Sequence, residues 1–185
     1  MKNAISFLLL VCSFTLHSQE WQQITLVDEF GDPTGNTITG FDTQGKMNNS
    51  ATTDADALLR VTYKPQEYFQ FKIFEYGNNP ATFLCETIGI SFKTEGGTIY
   101  REVLLRNQEI RSGYVTMNIE NNYKYGGTYF RIPAPTEKQI KRLSKKGKTH
   151  LYTLLSAYKG ELKTAISCGN SRYRFAIKGI ATPKE

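Results

Sequence analysis

The chain has 185 residues, 39% hydrophobic and 22% charged, with a formal net charge of +6 and a mean hydropathy of −0.41. That balance excludes a polytopic helical membrane protein and a disordered polar chain, and the length suits one domain with a sizeable core. Two histidines and three cysteines in the whole chain exclude a multi-histidine metal centre.

Lys2 precedes an apolar run from Ala4 to Leu16, the layout of a secretory signal peptide and too short to cross a bilayer as a helix. Val11 stands before Cys12 where lipid attachment requires a small residue, so no lipid anchor is expected. The chain therefore divides into a leader, 1–19, and a single domain, 20–185. The expected destination is export: periplasmic, cell-surface or secreted. No later segment reads as a transmembrane helix.

Trp21 to Val27 reads as a strand that runs into turn chemistry from Asp28 to Gly35. Asn36 to Phe41 is a short strand, and Met47 to Thr53 is a small polar connection. Ala57 to Tyr63 alternates, and Glu67 to Tyr76 does so most clearly, with Phe69, Phe71 and Ile73 opposed to Gln70 and Lys72. A turn at Gly77 to Pro80 leads to strands at Thr82 to Lys93, Thr98 to Leu105, Tyr114 to Ile119 and Thr128 to Ile132.

The stretch Pro133 to Lys148 predicts a helix. Thr136 and Gln139 form a capping-box pattern, Glu137 suits the first turn, and Gly147 suits a left-handed stop. Ile140 and Leu143 share its apolar seam, while Lys138, Lys141, Arg142, Lys145 and Lys146 form a basic face. Three further strands are predicted, at Leu151 to Tyr158, Leu162 to Cys168 and Tyr173 to Ile180.

About ten strands with turn signals roughly every 8–12 residues predict a mainly β fold. The expected form is an antiparallel, jelly-roll-like β-sandwich with one helix near 136–146 covering an edge. Lys72, Arg101 and Lys178 lie within the strands, and the chain ends in Pro183, Lys184 and Glu185, which argues against a membrane barrel. Cys85 and Cys168 remain after loss of the leader, and an even count in an exported chain predicts a disulfide.

Charge is divided unevenly. Glu20 to Tyr100 holds 5 basic and 11 acidic residues, whereas Arg101 to Glu185 holds 17 basic and 6 acidic. The basic helix face, Lys138, Lys141, Arg142, Lys145 and Lys146, is the predicted anion-binding site. Suitable partners are anionic polysaccharide, lipid headgroups or an acidic protein. Nucleic acid is not expected in an exported chain without an aromatic–basic RNA motif.

Catalytic signatures are sparse. His150 is the one histidine left in the mature chain, which limits nucleophilic triads. Asp28, Glu29, Asp32, Glu75 and Glu86 could supply a glycosidase carboxylate pair. Asp28, Glu29 and Asp32 are candidate calcium ligands in a turn-rich loop. The tyrosine-bearing run Asn121 to Gly127 is a candidate stacking loop. No cofactor is indicated.

The segments FGDPTG (Phe30 to Gly35), NSATT (Asn49 to Thr53), EYG (Glu75 to Gly77), KQIKRLSKKGK and YRFAIKG (Tyr173 to Gly179) resemble a group of exported β-sandwich domains. The resemblance implies architecture and no activity. The expected function is a non-enzymatic binding or accessory protein of the cell envelope that contacts anionic glycans or lipid headgroups. The alternative is a glycan-acting hydrolase with paired carboxylates.

Overall fold

The structure is a computed structural model that describes residues 19–27, 32–76, 79–105, 110–111, 116–121 and 128–182. Residues 1–18, Asp28, Glu29 and most of the Asn121 to Gly127 run lie outside the described residues, whereas Gln19, placed at the end of the predicted leader, is described and bonds to the domain.

Strong inward–outward alternation builds most of the strands. In chain order they are β1 (Gln22–Val27), β2 (Pro33–Asn48), β3 (Ala55–Lys64), β4 (Tyr68–Glu75) and β5 (Asn79–Pro80). Next come β6 (Thr87–Lys93), β7 (Ile99–Leu105), β8 (Ile110–Arg111), β9 (Thr116–Asn121) and β10 (Thr128–Pro133). Helices α1 (Glu137–Ser144) and α2 (Leu151–Ala157) follow, and β11 (Glu161–Cys168) and β12 (Ser171–Lys178) close the chain. Ten strands run in the order β7-β6-β11-β12-β2-β3-β4-β10-β9-β8, with β1 added to β2 and β5 to β4. The pairings are antiparallel, so the mainly β, antiparallel expectation holds.

The strands form one continuous sheet rather than separate hydrogen-bonded layers, and it curls on itself. At its ends, β7 returns to within 8 Å of β9 and β8, Cα to Cα. This curl encloses a single apolar interior and is compatible with a flattened two-layer sandwich. Phe41, Phe69, Phe71, Phe92 and Phe130 fill it, with Leu59, Ile73, Ile88 and Ile90 around them. Phe71 stacks on Phe130, with centroids 5.2 Å apart. Lys72, Arg101 and Lys178 alternate with this interior on the outer face. Apolar inside and charged outside is the reverse of a membrane barrel. Among the described residues, no helix is long and apolar enough to cross a membrane.

The two ends of the interior are closed differently. At the β4 start, Leu151 and Leu155 of α2 are buried beside an aromatic group of Trp21, Phe41, Tyr63, Phe69 and Tyr152. Trp21 Nε1–H donates to the Ala181 carbonyl over 3.0 Å, which ties both ends of the domain to that aromatic group. At the β4 end, the connection after β5 folds Ala81 and Phe83 into the core, and Phe83 packs on Tyr173 at 5.5 Å. Cys85 and Cys168 are bonded there, with Sγ atoms 2.03 Å apart, as the cysteine count predicts. The bond fastens the Phe83 connection to the end of β11.

Helix α1 follows its sequence signals at both ends. Gln139 N–H donates to Thr136 Oγ1 over 3.3 Å, and Thr136 N–H donates to Gln139 Oε1 over 2.8 Å. Gly147 takes φ +63°, and Lys148 N–H closes on the Leu143 carbonyl. The apolar seam is narrower than the sequence predicts: Leu143 is buried, but Ile140 is 47% exposed.

Helix α2 corrects the strand predicted at Leu151 to Tyr158. Leu151 and Leu155, four residues apart, share a face in either a helix or a strand, so this short run is ambiguous. In the structure the run is helical, and half-buried Leu154 joins Leu151 and Leu155 in one i, i+3, i+4 apolar stripe. The ring Nδ1 of His150 accepts the Tyr152 N–H at 3.2 Å and caps the first turn. Strand β2 also differs, running unbroken for 16 residues where a short strand and a polar connection are predicted. Gly40 and Gly45 within it serve close packing against neighbouring strands.

Gly45 is the clearest case. It pairs with Phe175 across the β2–β12 seam. A Cβ at Gly45 would overlap the Phe175 ring and the Arg174 carbonyl oxygen. Beyond that pair, Gln19 takes over the seam. Its Nε2 donates to Thr43 Oγ1 and, over 3.0 Å, to the Ala176 carbonyl, and its Oε1 accepts the Lys178 N–H at 2.7 Å. One side-chain amide thus imitates a strand neighbour for β12. Gly45→Ala is expected to destabilise the protein by about 1–3 kcal/mol through overpacking. Urea unfolding followed by near-UV circular dichroism measures this, and an unchanged midpoint would show that the seam tolerates a methyl group.

Candidate anion-binding site

The outer face of β7, β6, β11 and β12 carries an unusual residue pattern. Long polar side chains normally occupy the solvent face of a strand. On β6 the outward positions between buried Ile88, Ile90 and Phe92 are Gly89 and Ser91. On β11 they are Ala165 and Ser167, flanking buried Ile166. Two adjacent strands therefore present a floor of small residues. The neighbouring strands present long cations: Arg101 on β7, and Arg172 and Arg174 on β12.

Strand register sets these groups in rows. In one row Arg101 faces Ser91, Ser91 faces Ala165, Ala165 faces Arg174, and Arg174 faces Lys46. In the next, Gly89 faces Ser167, Ser167 faces Arg172, and Arg172 faces Asn48. With strands about 4.8 Å apart, the backbones carrying Arg101 and Arg174 stand about 14 Å apart. The result is an open trough of about 500 Å³ with a hydroxyl-bearing floor and guanidinium rims. Gly89 keeps that floor low, since a Cβ there would come 2.7 Å from Ser167 Oγ.

The rim cations are held at different strengths. Arg172 Nη1 donates to the Gly169 carbonyl over 2.5 Å and to the Ser171 carbonyl over 3.0 Å, which anchors it to the β11–β12 turn. Arg174 Nη2 meets Asp54 Oδ1 at 2.5 Å, and Lys46 Nζ meets Asp56 Oδ1 at 2.6 Å. Both pairs are more than half exposed, so water screens them and each contributes little to stability. The exposed Asp54 pair therefore holds Arg174 only weakly. Fixed guanidinium groups suit carboxylate, sulfate or phosphate, because the planar fork donates two parallel hydrogen bonds.

A second depression of about 360 Å³ continues the trough along β6 and β11. Lys93 and Lys163 face each other there as direct cross-strand neighbours. Like charges so placed repel. Glu95 lies in the same depression, its carboxylate accepting the Glu161 N–H at 2.7 Å.

The sequence-predicted groups are distributed elsewhere. Lys138, Lys141 and Arg142 are exposed on α1, and Lys145 and Lys146 are exposed in the turn that follows it. That helix follows β10, four places along the sheet from β12, so its basic face and the trough are distinct surfaces. Asp32 is exposed just before β2, and Glu86 is exposed just before β6. Glu75 is half-buried and accepts the Tyr173 hydroxyl at 2.5 Å. Burial and then the Glu75 hydrogen bond push the Tyr173 hydroxyl pKa upward.

A further charged face lies on β3, β4 and β10. Arg60 forms a two-fold hydrogen bond to Asp42, both contacts at 2.8 Å, and this bond holds its pKa up. Arg60 and Lys72 both lie over the Phe74 ring, and Arg131 lies between Tyr68 and Tyr129 at 4.5 and 4.9 Å. Burial, and then Arg60, lowers the Lys72 pKa. These cations are engaged with aromatic rings and Asp42, in contrast to the open trough.

Known protein families, curated proteins and solved structures yield no match to this chain.

His150, the histidine considered for catalysis, is structural. It is 3% exposed, its Nδ1 caps α2, and its Nε2 has no hydrogen-bond partner. Burial lowers its pKa from 6.5 to about 4. The folded state therefore favours the neutral ring. Above pH 6.5 neither state is protonated at this ring, and its stability contribution is complete. Between 6.5 and 4 the unfolded chain binds the proton first, so stability falls. His150→Asn keeps a capping acceptor but removes the titration. Between pH 7 and pH 4.5 the native protein is expected to lose about 2–3 kcal/mol more than this variant. Denaturant titrations at the two pH values test this, and equal losses would place the acid sensitivity elsewhere.

Proposed function

We propose that this protein is a non-enzymatic binding or accessory protein of the cell envelope. Its ligand is anionic, of the glycan or lipid-headgroup kind, and engages the outer face of the sheet. The carrying observation is the trough: Arg101, Arg172 and Arg174 rim a floor of Gly89, Ser91, Ala165 and Ser167. A surface built only for solubility has no reason to place small residues at consecutive outward positions on two adjacent strands. Clearing those positions leaves ligand atoms room to reach the guanidinium groups.

The export assignment rests on the leader-like sequence of residues 1–19. The binding reading also draws support from Arg172, whose two backbone contacts orient its guanidinium before any ligand arrives. Pre-orientation lowers the ordering cost of binding. The helix cations Lys138, Lys141, Arg142, Lys145 and Lys146 belong to this reading as an auxiliary basic surface. They add long-range attraction for the same anionic partner.

The test compares two charge-removal variants by calorimetric titration with dextran sulfate, using neutral dextran as control. Replacing Arg101, Arg172 and Arg174 by Gln is expected to weaken binding at least tenfold. Replacing the five α1 cations by Gln is expected to weaken it less than threefold. Native binding should also weaken steeply between low and physiological salt. A tenfold loss in the helix variant with none in the trough variant would move the site to α1. No binding of the native protein to a polyanion would reject the reading.

A further inference from the structure

We infer that the trough binds a linear anionic polysaccharide laid along the strands, rather than one small anion. This rests on the proposed anion-binding role and specifies the ligand that fits it.

Cations recur down the outer face at two-residue intervals. The first row holds Arg172. The second holds Arg101 and Arg174, joined by Lys46 at the β2 side. The third holds Lys93 and Lys163, and the same row ends in exposed Ala176. Successive rows on a strand face lie about 6.8 Å apart, so these three span about 14 Å. A lone carboxylate, sulfate or phosphate reaches the cations of one row. A chain with repeated negative groups reaches them all.

The third row supplies a separate argument. Lys93 and Lys163 face each other at a direct cross-strand position in a depression that Glu95 and Glu161 also line, and like charges so placed repel. The depression around them is continuous in direction with the trough along β6 and β11. Both lie on one track, and a polymer that enters between the arginines extends naturally toward the lysines.

The floor selects among polymers. Its outward side chains are Gly89, Ser91, Ala165 and Ser167, with hydroxyls available to sugar hydroxyls and no ring for stacking. Tyr173, the tyrosine bordering the trough, turns its ring to the core and its hydroxyl to Glu75. Single-stranded nucleic acid draws much of its affinity from bases stacked on aromatic side chains. A polysaccharide bearing carboxylate or sulfate needs no such platform. It meets the guanidinium forks with planar or tetrahedral oxyanions and the serines with hydroxyl groups.

The experiment is a length series. Galacturonate oligomers of one, two, four and six residues are titrated calorimetrically against the native chain, with sulfated oligosaccharides of matched length as a second series. Affinity is expected to rise at least tenfold from monomer to tetramer in at least one series. The double variant Lys93→Gln, Lys163→Gln is expected to bind the two-residue ligand within twofold of native and the six-residue ligand at least fivefold more weakly. Circular dichroism and a thermal melt establish that the variant is folded. Equal affinity for monomer and hexamer would overturn the polymer inference while leaving the anion site intact. A single-stranded oligonucleotide that binds more tightly than either glycan series at matched charge would overturn the ligand class. Failure of every anion, including dextran sulfate, would overturn both the inference and the site on which it rests.

Discussion

The close approach of β12 to β2 is the contact on which the architecture depends. Strands β3, β4, β10, β9 and β8 extend from one side of β2, and β12, β11, β6 and β7 extend from the other. The ladder joining the two groups is short, running from Arg172↔Asn48 to Phe175↔Gly45. A side chain at Gly45 would push Phe175 out of the interior and part the strands. Past Gly45 the backbone ladder ends, and the amide of Gln19 bonds to Ala176 and Lys178 in its place. Buried backbone groups must find partners, so an amide that offers both a donor and an acceptor is a natural filler. The same seam carries Arg174 and Lys46 on its outer face, with Asp54 and Asp56 answering them. The acidic first half and basic second half therefore meet across this short ladder.

A sheet that curls around one core leaves its outer face free of packing duties. Each strand then carries two independent messages in alternate positions. On β12 the inner series is Tyr173, Phe175 and Ile177, and the outer series is Arg172, Arg174, Ala176 and Lys178. The inner series sets stability through burial. The outer series can change chemistry without disturbing the core. The trough uses this freedom: Gly89, Ser91, Ala165 and Ser167 surrender solvent-facing bulk while Ile88, Ile90 and Ile166 hold the fold.

Much of the architecture was legible because period-two alternation is strong in β3, β4, β6, β11 and β12. The capping box and Gly147 likewise marked α1. Three features escaped. Helix α2 is seven residues long, too short to separate a repeat of two from one of 3.6. Strand β2 runs on past the predicted end at Phe41 through Gly45, a residue of low strand propensity that here serves close approach between strands. The trough was hidden because its cations are on β7 and β12, distant in sequence and adjacent only through the sheet order. A signal was nevertheless present. The outward positions of Ile88–Gly89–Ile90–Ser91–Phe92 and Thr164–Ala165–Ile166–Ser167 are all small. Residue density along the chain is a poor guide to residue density in space for a protein built from distant strand pairings.

The contrast between the basic helix and the trough turns on order rather than charge. The five helix cations project from a two-turn element seated by Leu143, with Ile140 left in water beside them. Their long side chains lose rotamer freedom on binding, and salt screens each of them. The trough arginines project from hydrogen-bonded strands in the continuous sheet. Arg172 is already restrained by two carbonyls, and Arg174 is paired with Asp54. Less freedom therefore remains for the trough arginines to lose on contact with a ligand. The helix is better suited to drawing a polyanion toward the protein, and the strand face to holding it in register. In the proposed function, charge dense along the chain gathers the ligand, and charge gathered by the fold selects it.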